Sequence, residues 1–170
     1  MMLRRAVMAL IFMLPLAACG FEPLYGNRQQ AGDAAFNDFH QIKIATIPER
    51  GGQMLRNELV DRMNYRGEPS QPLYELRVSL KEEKRDVFVR SDEVATAVDI
   101  TVTADYELVD RRNGTILTRG NPRSVNRYNV LASPYATLTS ADDARRRAAK
   151  QLAEDIRARL GIYFTNAKGK

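Results

Sequence analysis

Residues 74–80 read YELRVSL and residues 98–108 read VDITVTADYEL. In the first stretch Tyr74, Leu76, Val78 and Leu80 alternate with Glu75, Arg77 and Ser79. In the second, Val98, Ile100, Val102, Ala104, Tyr106 and Leu108 alternate with Asp99, Thr101, Thr103, Asp105 and Glu107. Successive side chains of a strand point to opposite faces, so a period of two predicts strands with one buried and one solvated face. The charged run Lys81 to Arg85 continues the first strand, and Val87 and Val89 resume its alternation. Asp110-Arg111-Arg112-Asn113-Gly114 supplies the next turn, since Asn and Gly both tolerate positive φ. Ile116 to Tyr128 then returns as a strand, with an interruption at Gly120-Asn121-Pro122. Its polar distal part, Ser124 to Asn129, reads as an edge.

Two helices flank these strands. Upstream, Gln41 to Ile47 alternates Ile42 and Ile44 and predicts a first strand, ended by Pro48 and Gly51-Gly52. Gln53 to Asn64 places Leu55, Leu59 and Met63 four apart on one helical face, widened by Met54 and Val60. Arg66-Gly67-Glu68-Pro69 stops that helix. Downstream, Ser140 to Leu160 carries Ala141, Ala144, Ala148, Leu152, Ile156 and Leu160 as a stripe. Ser140 is the expected N-cap, with Asp143 in a capping-box position, and Gly161 the expected stop. Arg145, Arg146, Arg147, Lys150, Arg157 and Arg159 are expected to lie mostly outward. The order β-α-β-β-β-α predicts an α+β fold, with two helices on one face of a mostly antiparallel four-stranded sheet.

The N-terminus has a different character. Arg4 and Arg5 precede an eleven-residue apolar run, Ala6 to Leu16, which ends in Leu16-Ala17-Ala18-Cys19. A positive segment, a short apolar core and small residues describe an export signal, and the run is too short for a spanning helix. Small residues before a cysteine resemble a bacterial lipobox. Cleavage between Ala18 and Cys19 and a diacylglyceryl group plus an amide-linked acyl chain on Cys19 are therefore expected. Cys19 is the only cysteine, which lipidation explains. Gly20, where an aspartate would favour inner-membrane retention, points to the outer membrane.

The expected organisation is a signal peptide at 1–18, a lipidated tether at 19–40 and one α/β sandwich domain at 41–170. Without residues 1–18 the chain has 152 residues, ample for one core. The removed segment holds two arginines and no acid, so the net charge falls from +5 to +3. That balance carries no nucleic-acid signature.

Catalytic chemistry finds little support. The single histidine, His40, sits at the end of the tether and reads as a solvated linker residue. No G-x-S-x-G elbow accompanies it, no set of ligands suits a metal, and Gly51-Gly52 lacks the Lys-Ser/Thr of a phosphate loop. No enzyme and no cofactor are expected. The basic residues are more suggestive. Arg85, Arg90, Arg111, Arg112 and Arg119, with Arg123 and Arg127, fall on strand ends and turns, where guanidinium forks suit phosphate oxygens. Asp86, Asp92, Glu93 and Asp110 are interspersed, so for any single arginine a solvated mixed-charge sheet edge is the simpler account.

The residues after the lipobox, Gly20-Phe21-Glu22-Pro23-Leu24-Tyr25, read G-F-x-P-L-Y. This start resembles that of the lipopolysaccharide-assembly lipoprotein family LptE in its alphaproteobacterial form. The length, the β-α-β-β-β-α order and the Arg/Ala-rich final helix match in pattern. The resemblance implies a non-catalytic outer-membrane lipoprotein on the periplasmic side. It implies a plug inside the large β-barrel LptD that assists its assembly, with lipopolysaccharide as a further partner. Phe21, Pro23, Leu24 and Tyr25 fit three readings: an interfacial anchor, a contact with the barrel wall, or plain tether. Three rivals remain: an auxiliary lipoprotein of an inner-membrane ABC-type lipid transporter, a lipid-anchored hydrolase using His40, and a purely structural envelope lipoprotein.

Overall fold

A computed structural model describes residues 38–88 and 95–168 of the chain. The elements are β1 (Ile42–Ile44), α1 (Glu49–Met63), β2 (Tyr74–Phe88), β3 (Ala95–Asp110), β4 (Ile116–Gly120), β5 (Arg123–Asn129) and α2 (Pro134–Lys168). Signal, lipobox and G-F-x-P-L-Y segment lie outside the described residues, as does Arg90.

The alternating stretches form one sheet. β1 pairs parallel to β2, and β2 pairs antiparallel to β3 from Tyr74↔Asp110 to Phe88↔Ala95. The other side of β3 is shared: β4 takes Tyr106 to Val109 and β5 takes Ala97 to Thr103. The expected fourth strand is thus one track broken in two, giving five strands. The Ala104 amide donates to the Pro122 carbonyl at 2.9 Å. Pro122 has no N–H to return to Ala104, which is why the ladder breaks there.

Even-numbered side chains of β2 and β3 face the helices. Leu76, Ile100, Ala104 and Leu108 are fully buried against Leu55 and Leu59 of α1 and Ala144, Leu152, Ile156 and Leu160 of α2. Burying one leucine or isoleucine of this kind contributes about 1.5–3 kcal/mol. The two helices run parallel. Arg50 pairs with Asp142 at 2.8 Å near their starts, and Arg62 with Glu154 at 3.3 Å twelve residues further along both.

Both helices exceed their expected bounds. α1 begins at Glu49, so Gly51 and Gly52 lie inside its first turns. The reason is steric. A Cβ on Gly52 would sit 2.6 Å from Ile47 Cγ2 and 2.8 Å from the Ile47 carbonyl oxygen, so only glycine lets the helix turn back this tightly on the chain entering it. α2 starts at Pro134, a residue preorganised for a first helical position, and Ser140 is internal to it rather than its N-cap. Gly161 does not stop it, because Phe164 beyond is buried and packs on Phe39 and Tyr74, with ring centroids at 6.1 and 5.4 Å. Arg145 and Arg157 are not outward either. Arg145 bridges to Glu82 and Asp142, and Arg157 lies over the Phe39 ring at 5.9 Å.

The core also starts earlier than Gln41. Asp38 and Phe39 are buried, and the Gln41 amide donates to the Asp38 carbonyl at 3.0 Å. Asn64 ties the end of α1 to β1 by donating from Nδ2 to the Ile42 carbonyl at 2.9 Å.

The two adjacent glycines make a paired test. Gly52→Ala is expected to lose about 1–3 kcal/mol from overpacking against Ile47. Gly51→Ala, whose Cβ meets only Leu80 Cδ1 at 3.8 Å, is expected to be neutral or to gain up to about 1 kcal/mol from helix propensity. Urea unfolding of both variants measures the difference.

Candidate functional site

With both described helices on one face, the odd-numbered residues of β2, β3, β4 and β5 form a face that no described helix covers and that is mostly polar, with Ala97 and Val109 buried near its two ends. Along β2 it carries Arg77, Ser79, Lys81, Glu83 and Arg85; along β3 Thr101, Thr103, Asp105 and Glu107; along β4 and β5 Arg119, Arg123, Val125 and Arg127. The arginines singled out by sequence separate into three places on this framework.

At one end of β3, Arg127 donates to Asp99 from Nε at 2.6 Å and from its terminal nitrogen at 3.0 Å. Arg85 approaches the same carboxylate at 3.5 Å. The Arg127 hydrogen bonds, reinforced by Arg85, hold the Asp99 carboxyl below its ordinary pKa. At the other end, the Arg112 guanidinium grips Asp110 at 2.7–3.3 Å, and the Arg112 backbone amide also donates to Asp110 at 2.8 Å. These bonds push the Asp110 carboxyl down. Arg111 is held by its backbone amide on the Leu73 carbonyl at 2.9 Å, and its side chain reaches the Pro72 carbonyl at 3.3 Å. Asp99 and Asp110 are eleven residues apart on one strand, about 36 Å at strand rise. Arg85 and the Arg111-Arg112 pair are therefore not one cluster.

Arg119 lies between the ends. It lines an open concavity of about 620 Å³ on the helix-free face, with Arg77, Ser79, Asp105, Glu107 and Asn121. The concavity adjoins the break in the fourth track, where Gly120 stands beside Tyr106. A Cβ on Gly120 would lie 2.8 Å from the Tyr106 ring, so glycine is what allows the tyrosine to bury there. Burial raises the Tyr106 pKa.

Sequence reading missed the ion network on the helix side. Arg145 donates to Glu82 at 3.0 Å through two nitrogens and to Asp142 at 3.0 Å, while Arg50 reaches Asp142 and Lys84 reaches Glu82. It links β2 to both helices. The hydrogen bonds from Arg145 hold the Glu82 carboxyl low. No local pattern reveals this, because Glu82 and Arg145 are sixty-three residues apart. Ser124 and Asn126 were read only as polar edge residues. They point inward, where both bond Gln151 Oε1 of α2, Asn126 at 3.3 Å.

His40 is no linker residue. Its ring packs edge-on against Tyr65 at 5.0 Å, and Arg66 lies over the same Tyr65 ring at 5.3 Å. No group of three or more His, Cys, Asp or Glu that could hold a metal ion occurs among the described residues. No helix among them is long and apolar enough to cross a membrane.

A broken-track sheet with two parallel helices on one face is a fold that other solved proteins share. A lipoprotein of Caulobacter crescentus shares it at TM-score 0.65 and 24% identity, over 78% of this chain and 96% of that one. Rare lipoprotein B of Shewanella oneidensis does so at TM-score 0.57 and 10% identity, over 75% and 98%. A minor lipoprotein of Acinetobacter baumannii matches at TM-score 0.55 and 19% identity, over 72% and 92%. No curated protein matches the chain. Residues 39–160 match the LptE family, described as lipopolysaccharide-assembly, and the chain belongs to that family. It acts in lipopolysaccharide assembly and is not an enzyme.

The depressed carboxyls set an acid limit to stability. Asp99, Asp110 and Glu82 have lower pKa values folded than unfolded, so their stabilisation is complete above the ordinary carboxylate range, about 4. It is lost as pH falls below that range through the folded values. Thermal unfolding at stepped pH should show stability falling below about pH 4. Arg145→Gln should flatten that fall and cost roughly 1 kcal/mol or less at neutral pH, since its partners are partly solvated.

Proposed function

We propose that this chain is the lipid-anchored plug of an outer-membrane β-barrel of the LptD type, assisting its assembly and the passage of lipopolysaccharide to the outer leaflet. Family membership supplies the process. The observation that carries the plug reading is the helix-free sheet face, three tracks wide and lined with Arg77, Ser79, Glu83, Thr103, Asp105 and Arg119. The interior of large membrane barrels is polar, so a surface of this kind fills such a lumen without burying apolar residues against water. Cys19 carries the diacylglyceryl and amide-linked chains in this reading. Three acyl chains anchor durably, where one binds a membrane only marginally.

Purification of the full chain from outer membranes in mild detergent tests the plug. Recovery of one large β-barrel protein in stoichiometric amount is the expected result, and Cys19→Ser should lose its membrane association. Recovery of an ATPase and permease instead would assign the chain to an inner-membrane lipid transporter.

Lipopolysaccharide contact is proposed at the β3–β4 turn, where Arg111 and Arg112 project from one end of the sheet. Arg112 has 70% of its side chain exposed despite its grip on Asp110, which leaves guanidinium nitrogens for lipid A phosphates. Arg111→Glu/Arg112→Glu should weaken lipopolysaccharide binding at least tenfold in a direct titration. Unchanged binding would remove this turn from the contact surface.

A further inference from the structure

We infer that the outer edge of β5 is an acceptor site for an extended, acidic polypeptide segment that joins the sheet as a further strand. The first ground is the direction of the backbone groups. The Ala104 amide bonds the Pro122 carbonyl, and the β3–β5 register runs from Ala97↔Asn129 to Thr103↔Arg123. In an antiparallel ladder bonded and non-bonded pairs alternate. The residues of β5 that exchange hydrogen bonds with β3 are therefore Ser124, Asn126 and Tyr128. Arg123, Val125 and Arg127 turn their N–H and C=O groups away from the sheet. Among the described residues only the Arg127 carbonyl is taken, by the Arg147 guanidinium at 3.0 Å. An open row of such groups is a template for strand pairing.

The edge is also rigid. Ser124 and Asn126 are buried, bonded to each other at 2.8 Å and held by Gln151 of α2. No bulge interrupts the β3–β5 register, so the edge is straight over seven residues. On the opposite side of the sheet β1 pairs only with Tyr74 to Leu76, and the edge beyond it is the mixed-charge remainder of β2, with Lys81, Glu83 and Arg85.

Charge selects the occupant. The side chains on the exposed face of β5 are Arg123, Val125 and Arg127, with Val125 52% exposed. Arg119 of β4 extends the row. Among the described residues neither Arg119 nor Arg123 makes a side-chain hydrogen bond or ion pair, although the Glu83 carboxyl, lowered chiefly by Lys81, also feels the Arg123 charge. Cross-strand neighbours of opposite charge stabilise and like charges destabilise. A second copy pairing antiparallel about Val125 would set Arg123 against Arg127 twice. A strand with the pattern acid–x–apolar–x–acid sets its apolar residue on Val125 and one acid on Arg123, while its second acid meets Arg127, whose guanidinium already holds Asp99 and offers only its remaining N–H groups. Lipopolysaccharide phosphates would satisfy the arginines alone and would make no use of the outward N–H of Val125.

This site does not depend on the barrel reading. The probe is a fluorescent heptapeptide, TETVTET, titrated by anisotropy against the full chain in mild detergent. It should bind, and TKTVTKT should bind at least tenfold more weakly. N-methylation of the central valine of the probe, which removes one ladder bond, should weaken binding at least tenfold. Val125→Pro on the chain should do the same while leaving the β3 ladder and the unfolding midpoint nearly unchanged, because that N–H does not point at β3. Arg119→Glu/Arg123→Glu should invert the preference between the two peptides, and serves if the proline variant fails to fold. Equal binding of the N-methylated probe, full displacement of the TETVTET probe by lipopolysaccharide, or a dimer that Val125→Pro dissolves would each overturn the proposal. A failed barrel co-purification with intact peptide binding would overturn the plug reading and leave this edge standing.

Discussion

Strand β3 is hydrogen-bonded along both of its sides, and the rest of the molecule is arranged around that fact. Its odd-numbered residues exchange backbone bonds with β2 and its even-numbered residues with β4 and β5, as the Arg111–Leu73 and Ala104–Pro122 bonds at its two edges show. Side-chain direction follows the same alternation, so its buried residues Ile100, Val102, Ala104, Tyr106 and Leu108 all meet the helices. A slip of one residue would send this set to the solvent face and Thr101, Thr103, Asp105 and Glu107 into the core. Burial on one face thus fixes the register of the central sheet.

The helices are held over that sheet by packing in the middle and by charge at the edges. Small residues, Ala144, Ala148 and Ala153, bring α2 close to β3, while Phe164 closes the far end on Phe39 and Tyr74. The network from Arg50 through Asp142 and Arg145 to Glu82 and Lys84 fixes both helices relative to β2. Its members are partly solvated, so it sets orientation more than it adds stability. No helix or strand among the described residues covers the opposite face of the sheet, and that is the face the proposed barrel contact uses.

The broken fourth track links fold to function. Pro122 interrupts the ladder, Gly120 makes room for Tyr106, and the resulting concavity carries Arg77 and Arg119 among acids. Beyond the break, β5 is anchored by Gln151 from below, and among the described residues its outer side is engaged only at the Arg127 carbonyl. One proline therefore divides a single edge track into a pocket-lining strand, β4, and the longer β5.

Much of this was legible in the sequence. Alternation over 74–80 and 98–108 gave the strands, the Asn113-Gly114 turn gave the hairpin, and the run of Ala144, Ala148, Leu152, Ile156 and Leu160 gave the helix that covers them. These signals are local: each depends on residues within a few positions, whose periodicity reports which side meets water. The helix ends were not legible, because Gly52 answers to Ile47 across a turn and Gly161 is overridden by Phe164 packing on a residue more than a hundred positions away. Nor was the grouping of arginines. Sequence brought Arg85, Arg111, Arg112 and Arg119 forward as phosphate-binding types, but their separation across the sheet and the approach of Arg85 to Asp99 depend on register. Residue type and periodicity determined most of the elements, and the resemblance of the lipobox and G-F-x-P-L-Y start indicated the family. Which charges meet, and which backbone edge stays open, was decided only when the chain folded, because those contacts join residues that have no relation along the sequence.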